Sequence, residues 1–197
     1  ICLLAVWLIT ASGMNAQSGA STPARMSTSV SWMRSAALAD SFEIQVALPV
    51  RYGVDTTRRY GTLYVLDADK SFGLARDIVD WLAWSGAREI PPLIVVGIAY
   101  GRSEREWWAL RSRDMTPSKD RSRMWGEWPR AGGAAAFQEF LRAELVPEME
   151  RRYRTLPDTR ILAGLSFGGL FTGWSVLADP PVFSHAIAIS PAFAWDS

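Results

Sequence analysis

"ILAGLSFGGLF", residues 161–171, sets a serine between glycines at the point where one apolar run gives way to another. Gly164, Ser166 and Gly168 follow the spacing Gly-x-Ser-x-Gly. Upstream, "RILAG" (160–164) has the length and composition of a buried strand, and downstream a helix is expected over about residues 168–178. A strand that turns at once into a helix leaves Ser166 at a sharp corner. Glycine on either side would let the two elements approach where side chains would collide.

The remainder of the chain supplies the setting for that corner. "FEIQVALP" (42–49) alternates apolar and polar residues as a half-buried strand does, and "YGTLYVLD" (60–67) is an apolar strand ending at an acidic loop, "DADKS". "PPLIVVGIAYG" (91–101) is a continuous β-branched run, as in a strand buried on both faces. Leu74, Ile78, Trp81, Leu82 and Ser85 recur at helical spacing. Phe137, Phe140, Leu141 and Leu145 do the same within 134–153, where Pro147 is expected to kink the helix or end its first part. "HAIAIS" (185–190) reads as a further strand, and residues 102–131 as polar, Trp-rich and irregular. Strands alternating with helices, the central ones apolar throughout, predict an α/β fold with a mostly parallel central sheet flanked by helices.

At 197 residues the chain suggests one domain, with 49% hydrophobic and 21% charged residues, a globular balance. The formal net charge of +1 argues neither for nor against nucleic acid; no basic run stands out, and no nucleic-acid partner is expected. "ICLLAVWLITA" has the length of a signal-peptide apolar region, too short to span a bilayer, and Ala16 is a cleavage candidate. Residues 1–16 are therefore expected to be a signal peptide clipped at its start, 17–35 a Ser/Thr/Ala-rich linker or tail, and 36–197 a partial α/β domain. The expected locations are secreted or periplasmic, with no membrane span once the signal is removed. Cys2, the single cysteine, lies inside that signal, leaving a mature chain without thiol chemistry. No zinc-ligand spacing, phosphate loop or dinucleotide fingerprint occurs, so neither a cofactor nor a metal is expected.

Strand, turn and helix in this order make the arrangement of a nucleophile elbow. A serine in a strained turn projects its hydroxyl above the sheet, and at a helix start it meets the positive end of the dipole, which favours developing negative charge. A Gly-x-Ser-x-Gly match alone is a weak signal, and its placement is what makes it specific.

With "AGLSFGGLF" and "VLADPPVFSHAIAISPAFAWD", the segments "TLYVLDADKSF", "RSRDMTPS" and "GGAAAFQEFLRAELVPEMERRY" resemble the esterase D-type branch of the α/β-hydrolases. Members of that branch include S-formylglutathione hydrolases, trilactone siderophore esterases and mycolyltransferases, and the later two segments resemble the siderophore-esterase-like members. The likeness runs from about residue 40 to the end. It implies an α/β-hydrolase fold and a serine esterase that cleaves small-molecule carboxylic esters, with Ser166 as nucleophile. It also implies an oxyanion hole made by the backbone N–H groups of Phe167 and Asp69. An acyltransferase of the same fold and a non-catalytic ligand-binding relative are the alternatives.

The triad order of this fold is Ser, then Asp or Glu, then His. The one histidine, His185, opens a strand whose far end faces the site, roughly 17 Å away at about 3.3 Å per residue. His185 is accordingly not expected to be the base, and Asp196 is read as a rim residue rather than the acid. Acid and base are expected beyond Ser197, in chain that continues the domain, so residues 1–197 alone should be nearly inactive. Phe193 and Trp195 are candidates for the substrate rim. Residues 101–131 carry Trp107, Trp108, Trp125 and Trp128 with eight Lys/Arg against five Asp/Glu. They read either as a mobile aromatic cover suited to an aromatic or anionic ester, or as a solvated loop whose tryptophans pack on the core. Arg113 and Asp114 are expected to hold each other.

Overall fold

The computed structural model describes residues 25–84, 89–119 and 128–196. The proposed signal peptide, residues 17–24 of the proposed linker, and Trp125 lie outside the described residues.

Six strands form one mixed sheet among the described residues: β1 (Ser27–Ser35), β2 (Asp40–Leu48), β3 (Tyr60–Val65), β4 (Leu93–Ala99), β5 (Thr155–Leu165) and β6 (His185–Ile189). Their order across the sheet is β1-β2-β4-β3-β5-β6. The β1/β2 and β2/β4 pairs are antiparallel, while β4/β3, β3/β5 and β5/β6 are parallel, as the crossover helices require. Helices α1 (Ala68–Trp84), α2 (Glu104–Met115), α3 (Ala134–Phe140), α4 (Val146–Arg152) and α5 (Phe167–Ser175) flank it.

Every residue of β4 is buried, because both its faces are covered. Ile94, Val96 and Ile98 join Phe42, Tyr64, Phe137, Phe140 and Phe171 in one core layer. Leu93, Val95 and Ala99 join Leu63, Val65, Phe72 and Val79 in the other. Helix α1 seats closely on this second face: a Cβ at Gly97 would lie 2.6 Å from the Phe72 ring and 2.8 Å from Ala68 Cβ. On the first face the Phe137 ring stands 5.0 Å from Phe171 and 5.6 Å from Phe42, centroid to centroid.

Three local expectations change. Ser27–Ser35, within the stretch read as a linker or tail, is strand β1, paired in continuous register with β2. An edge strand needs no buried face, so its serines conceal a pattern that Thr28, Val30 and Trp32 support. The Glu144 carboxylate fixes the turn after it, accepting from the Ala36 and Ala37 N–H groups at 3.0 Å each. The "acidic loop" after β3 is already the first turn of α1, which begins at Ala68. The stretch read as irregular contains helix α2, capped at Ser103, whose side chain accepts from the Glu106 N–H. Pro147 stands at the start of α4, where the first helical part, α3, has given way to a π-helical turn over Leu141–Leu145, with Val146 N–H donating to Leu141 O.

On α1 the helically spaced Leu74, Ile78 and Trp81 point away from the core. Leu74, Ile78 and Trp81 are 68%, 48% and 65% exposed, while Ala68, Phe72 and Val79 are buried. The absence of a side chain at Gly97 leaves room for the Phe72 ring and Ala68, and so seats this second stripe on the sheet.

Replacing Phe137, which is fully buried among three other phenylalanines, with Ala should lower the stability of the full-length protein by about 3–5 kcal/mol. Urea unfolding followed by tryptophan fluorescence checks this.

Candidate functional site

Strands β3 and β5 run parallel, with Val65 opposite Ala163, so the chain leaves both at the same edge of the sheet. Ser166 lies three residues past Ala163 and Asp69 four past Val65. This brings the serine, the first turn of α5 and the first turn of α1 to one rim.

Ser166 has φ 58° and ψ −113°, a conformation that non-glycine residues rarely adopt and that costs about 1–3 kcal/mol. Hydrogen bonds hold it there. Its N–H donates to Ile189 O at 3.0 Å, and its carbonyl accepts from Ala192 N–H at 3.1 Å and from Leu170 N–H at 2.8 Å. The end of β6 and the loop after it thus grip both backbone groups of the serine. The Ser166 side chain makes no capping bond to α5.

The glycines divide the work unequally. A Cβ at Gly164 would lie 2.3 Å from Gly168 O and 2.4 Å from Gly168 C, so here strand and helix touch backbone to backbone. A Cβ at Gly168 would meet Asp67 Oδ2 at 3.2 Å, a tight contact with a side chain. Gly169, one residue outside the motif, faces the β6 end, where an added Cβ would stand 2.9 Å from Ile189 O.

Under the corner lies a buried ion pair. Arg111, on α2, donates from Nε to both Asp67 carboxylate oxygens at 2.8 and 2.9 Å, and from Nη2 to Leu165 O at 2.9 Å. Burial pushes the Asp67 carboxyl up, to about 6, and the Arg111 guanidinium opposes that shift. The guanidinium carbon lies 5.1 Å from the Trp107 ring centre, 5.4 Å from Trp108 and 5.1 Å from Phe167. Trp128 and Trp195 meet Phe167 edge-on at 5.8 and 5.1 Å. The described tryptophans of the 101–131 stretch therefore pack around the arginine and the elbow. Trp108, 40% exposed, is the one with most surface left.

A second network ties α2 to the sheet. Arg113 pairs with Asp114 at 2.6 Å and with Asp40 of β2 at 2.9 Å. Burial raises the Asp114 carboxyl to about 6 against the pull of Arg113, so the two residues do hold each other.

Of the sequence-derived site residues, Phe167 opens α5 directly after the serine, with its ring buried. Asp69 sits in the first turn of α1, where backbone N–H groups have no helical carbonyl to reach. Its carboxylate accepts the N–H groups of Tyr100 and Gly101 at 2.8 Å each and so ties α1 to the end of β4. Trp195 is buried, its Nε1 donating to Ser118 O at 3.0 Å, so it braces Phe167 instead of lining an open rim. Phe193, 63% exposed, lies over Gly173 of α5. Asp196 has a positive φ of 55° in the loop after β6. His185 starts β6 opposite Ile161, four residues from Ile189 and thus about 13 Å down the strand from the serine end. Its Nδ1 stands 2.9 Å from Ser184 Oγ. Sequence reasoning missed Arg111 and Asp67; the sole signal was Arg111 at the head of "RSRDMTPS", and nothing local indicates that it reaches β3.

The strand order, with a positive-φ serine between β5 and its helix, defines an α/β-hydrolase fold. Residues 35–196 match the Esterase family, described as "Putative esterase", and the chain belongs to that family. It is 34% identical over 146 residues to the ferri-bacillibactin esterase BesA of Bacillus subtilis (strain 168), covering 70% of this chain and 49% of BesA. The chain thus spans about half the length of that relative. Among solved structures, the BES protein from Bacillus cereus superposes with a TM-score of 0.76 at 23% identity, covering 100% of this chain and 67% of its own. An IroE-like serine hydrolase from Shewanella oneidensis gives 0.72 at 27% identity, with 88% and 52% covered. Among the described residues no helix is long and apolar enough to cross a membrane.

Gly164→Ala should be more damaging than Gly168→Ala. Its methyl group meets the backbone of Gly168, a clash of the kind that costs about 1–3 kcal/mol or more. Parallel urea titrations and fluorophosphonate labelling rates of the two full-length variants measure the difference.

Proposed function

We propose that the full-length protein is an exported serine esterase that cleaves carboxylic esters through an acyl-serine intermediate. The observation that carries this reading is the strained, doubly gripped backbone of Ser166 between β5 and α5. A backbone held this firmly in an unfavourable region is found where strain serves a site.

Ser166 Oγ attacks the ester carbonyl carbon and gives its proton to a base. The carbonyl oxygen takes up negative charge opposite the N–H groups of Phe167 and Asp69, one from each of the two helix starts that meet at the rim. The tetrahedral intermediate collapses, the alcohol leaves with the proton, and the acyl group stays on Ser166. Water, activated by the same base, then releases the acid and restores the serine.

The base that takes the serine proton is a group other than His185. His185, roughly 13 Å down β6, is too far to take the Ser166 proton. Phe193, exposed next to the α5 face, contributes an aromatic wall for the substrate.

The substrate class is an aromatic or siderophore-type lactone. The name of BesA, a ferri-bacillibactin esterase, supports this. Export rests on the apolar start of the chain, and N-terminal sequencing of secreted material is expected to begin after Ala16.

Ser166→Ala in the full-length protein should lower kcat for a short p-nitrophenyl ester by about 10⁴-fold or more, as loss of a triad nucleophile does. Product analysis with and without added alcohol should give free acid in both cases. Unchanged turnover would overturn the nucleophile, and quantitative transfer to the alcohol would make the protein an acyltransferase.

A further inference from the structure

Arg111 is buried and cannot reach a substrate, yet three features of the elbow converge on it. Its Nη2 holds the carbonyl of Leu165, the residue immediately before Ser166. Its Nε holds both oxygens of Asp67. That carboxylate lies against the first turn of α5, where its Oδ2 would be 3.2 Å from a Cβ on Gly168. An unmatched carboxylate there would face the place where an oxyanion forms beside Phe167, and like charges in a poorly solvated site repel strongly.

We propose that Arg111 is a positioning residue of the elbow: it fixes the Leu165 carbonyl, so that Ser166 keeps its strained conformation, and it neutralises Asp67, so that the developing oxyanion meets no opposing charge. The proposal rests on the serine-esterase reading. Trp107, Trp108 and Phe167 surround the guanidinium and prevent it from swinging out to water. Arginine suits the position because its planar fork serves Asp67 and Leu165 at once, which a lysine ammonium cannot do in the same geometry. Asp67 itself has φ 53°, so its backbone as well as its charge is held at this corner.

The ionisable groups acting on Asp67 are Arg111 from α2 and Asp69 from α1, whose charge adds to the disfavour of ionisation. The Tyr100 hydroxyl, at the end of β4, feels the Asp67 charge in turn. Removing Arg111 therefore leaves a carboxyl that stays neutral at low pH and ionises as the pH rises. Each ionised molecule carries an uncompensated charge next to the oxyanion position.

The test is steady-state hydrolysis of a p-nitrophenyl ester between pH 5 and 9 by full-length wild type, Arg111→Met, Arg111→Lys and the double variant Asp67→Asn/Arg111→Met. Folding is checked by thermal unfolding. Arg111→Met should lose about 100-fold in kcat, the scale of an ångström-level misplacement, with KM changed less than about threefold. It should also gain a limb along which kcat falls with rising pH, absent from wild type. Arg111→Lys should recover part of kcat and lack that limb, and the double variant should lack it while staying slow.

A folded Arg111→Met with wild-type kcat and pH profile would overturn the proposal, as would a double variant that keeps the limb. If Arg111→Met does not fold, a slowed Arg111→Lys with unchanged KM supports the proposal and a fully active one overturns it. An inactive, unlabelled wild type would defeat the serine-esterase reading and this inference with it. An active wild type beside unaffected Arg111 variants would defeat the inference alone.

Discussion

The contact between Gly164 and Gly168 governs the rest of the site. With no Cβ on Gly164, the end of β5 can touch the first turn of α5 backbone to backbone, and the one residue joining them inside a single turn is forced to positive φ. That conformation survives because β6 and its following loop supply an acceptor for the Ser166 N–H and a donor for its carbonyl. Local strain is offset by non-local hydrogen bonds, so the serine geometry depends on strands that the motif does not include.

The aromatic residues find their explanation in the same corner. Phe167 faces inward from the elbow, and Trp128 and Trp195 meet its ring edge-on, while Trp107 and Trp108 lie against the Arg111 guanidinium. The result is an apolar packing around one buried ion pair that joins the β3 loop, α2 and the start of α5. Such a pair contributes little net stability compared with an apolar replacement, but breaking it leaves a lone buried charge. Its retention here fits a role in holding geometry rather than in raising stability.

Much of this was legible in the sequence because the signals were local. The glycine spacing, the apolar run of β4 and the strand-turn-helix order each depend on neighbours a few residues apart, and the position of His185 at the wrong end of β6 followed from counting residues. The misses share a different origin. Strand β1 carries too little apolar patterning to distinguish an edge strand from a tail. Helix α1 has two apolar stripes, and the choice between them is made by Gly97 on β4, a tertiary contact. Arg111 meets Asp67 from 44 residues away and Leu165 from 54, a convergence that no spacing rule encodes. Trp195 looked like a rim residue because of its loop, and it became a brace because Ser118 O and the Phe167 ring lie within its reach.

The central claim is that Ser166, and no other serine, is the group that reacts with an acyl-like electrophile. Mass spectrometry of the full-length protein after fluorophosphonate treatment and tryptic digestion tests this directly, since the relevant peptide begins at Ile161, following Arg160. One adduct is expected, on Ser166. An adduct on Ser175, Ser184 or Ser190 instead, or an unmodified peptide from protein that hydrolyses esters, would contradict it.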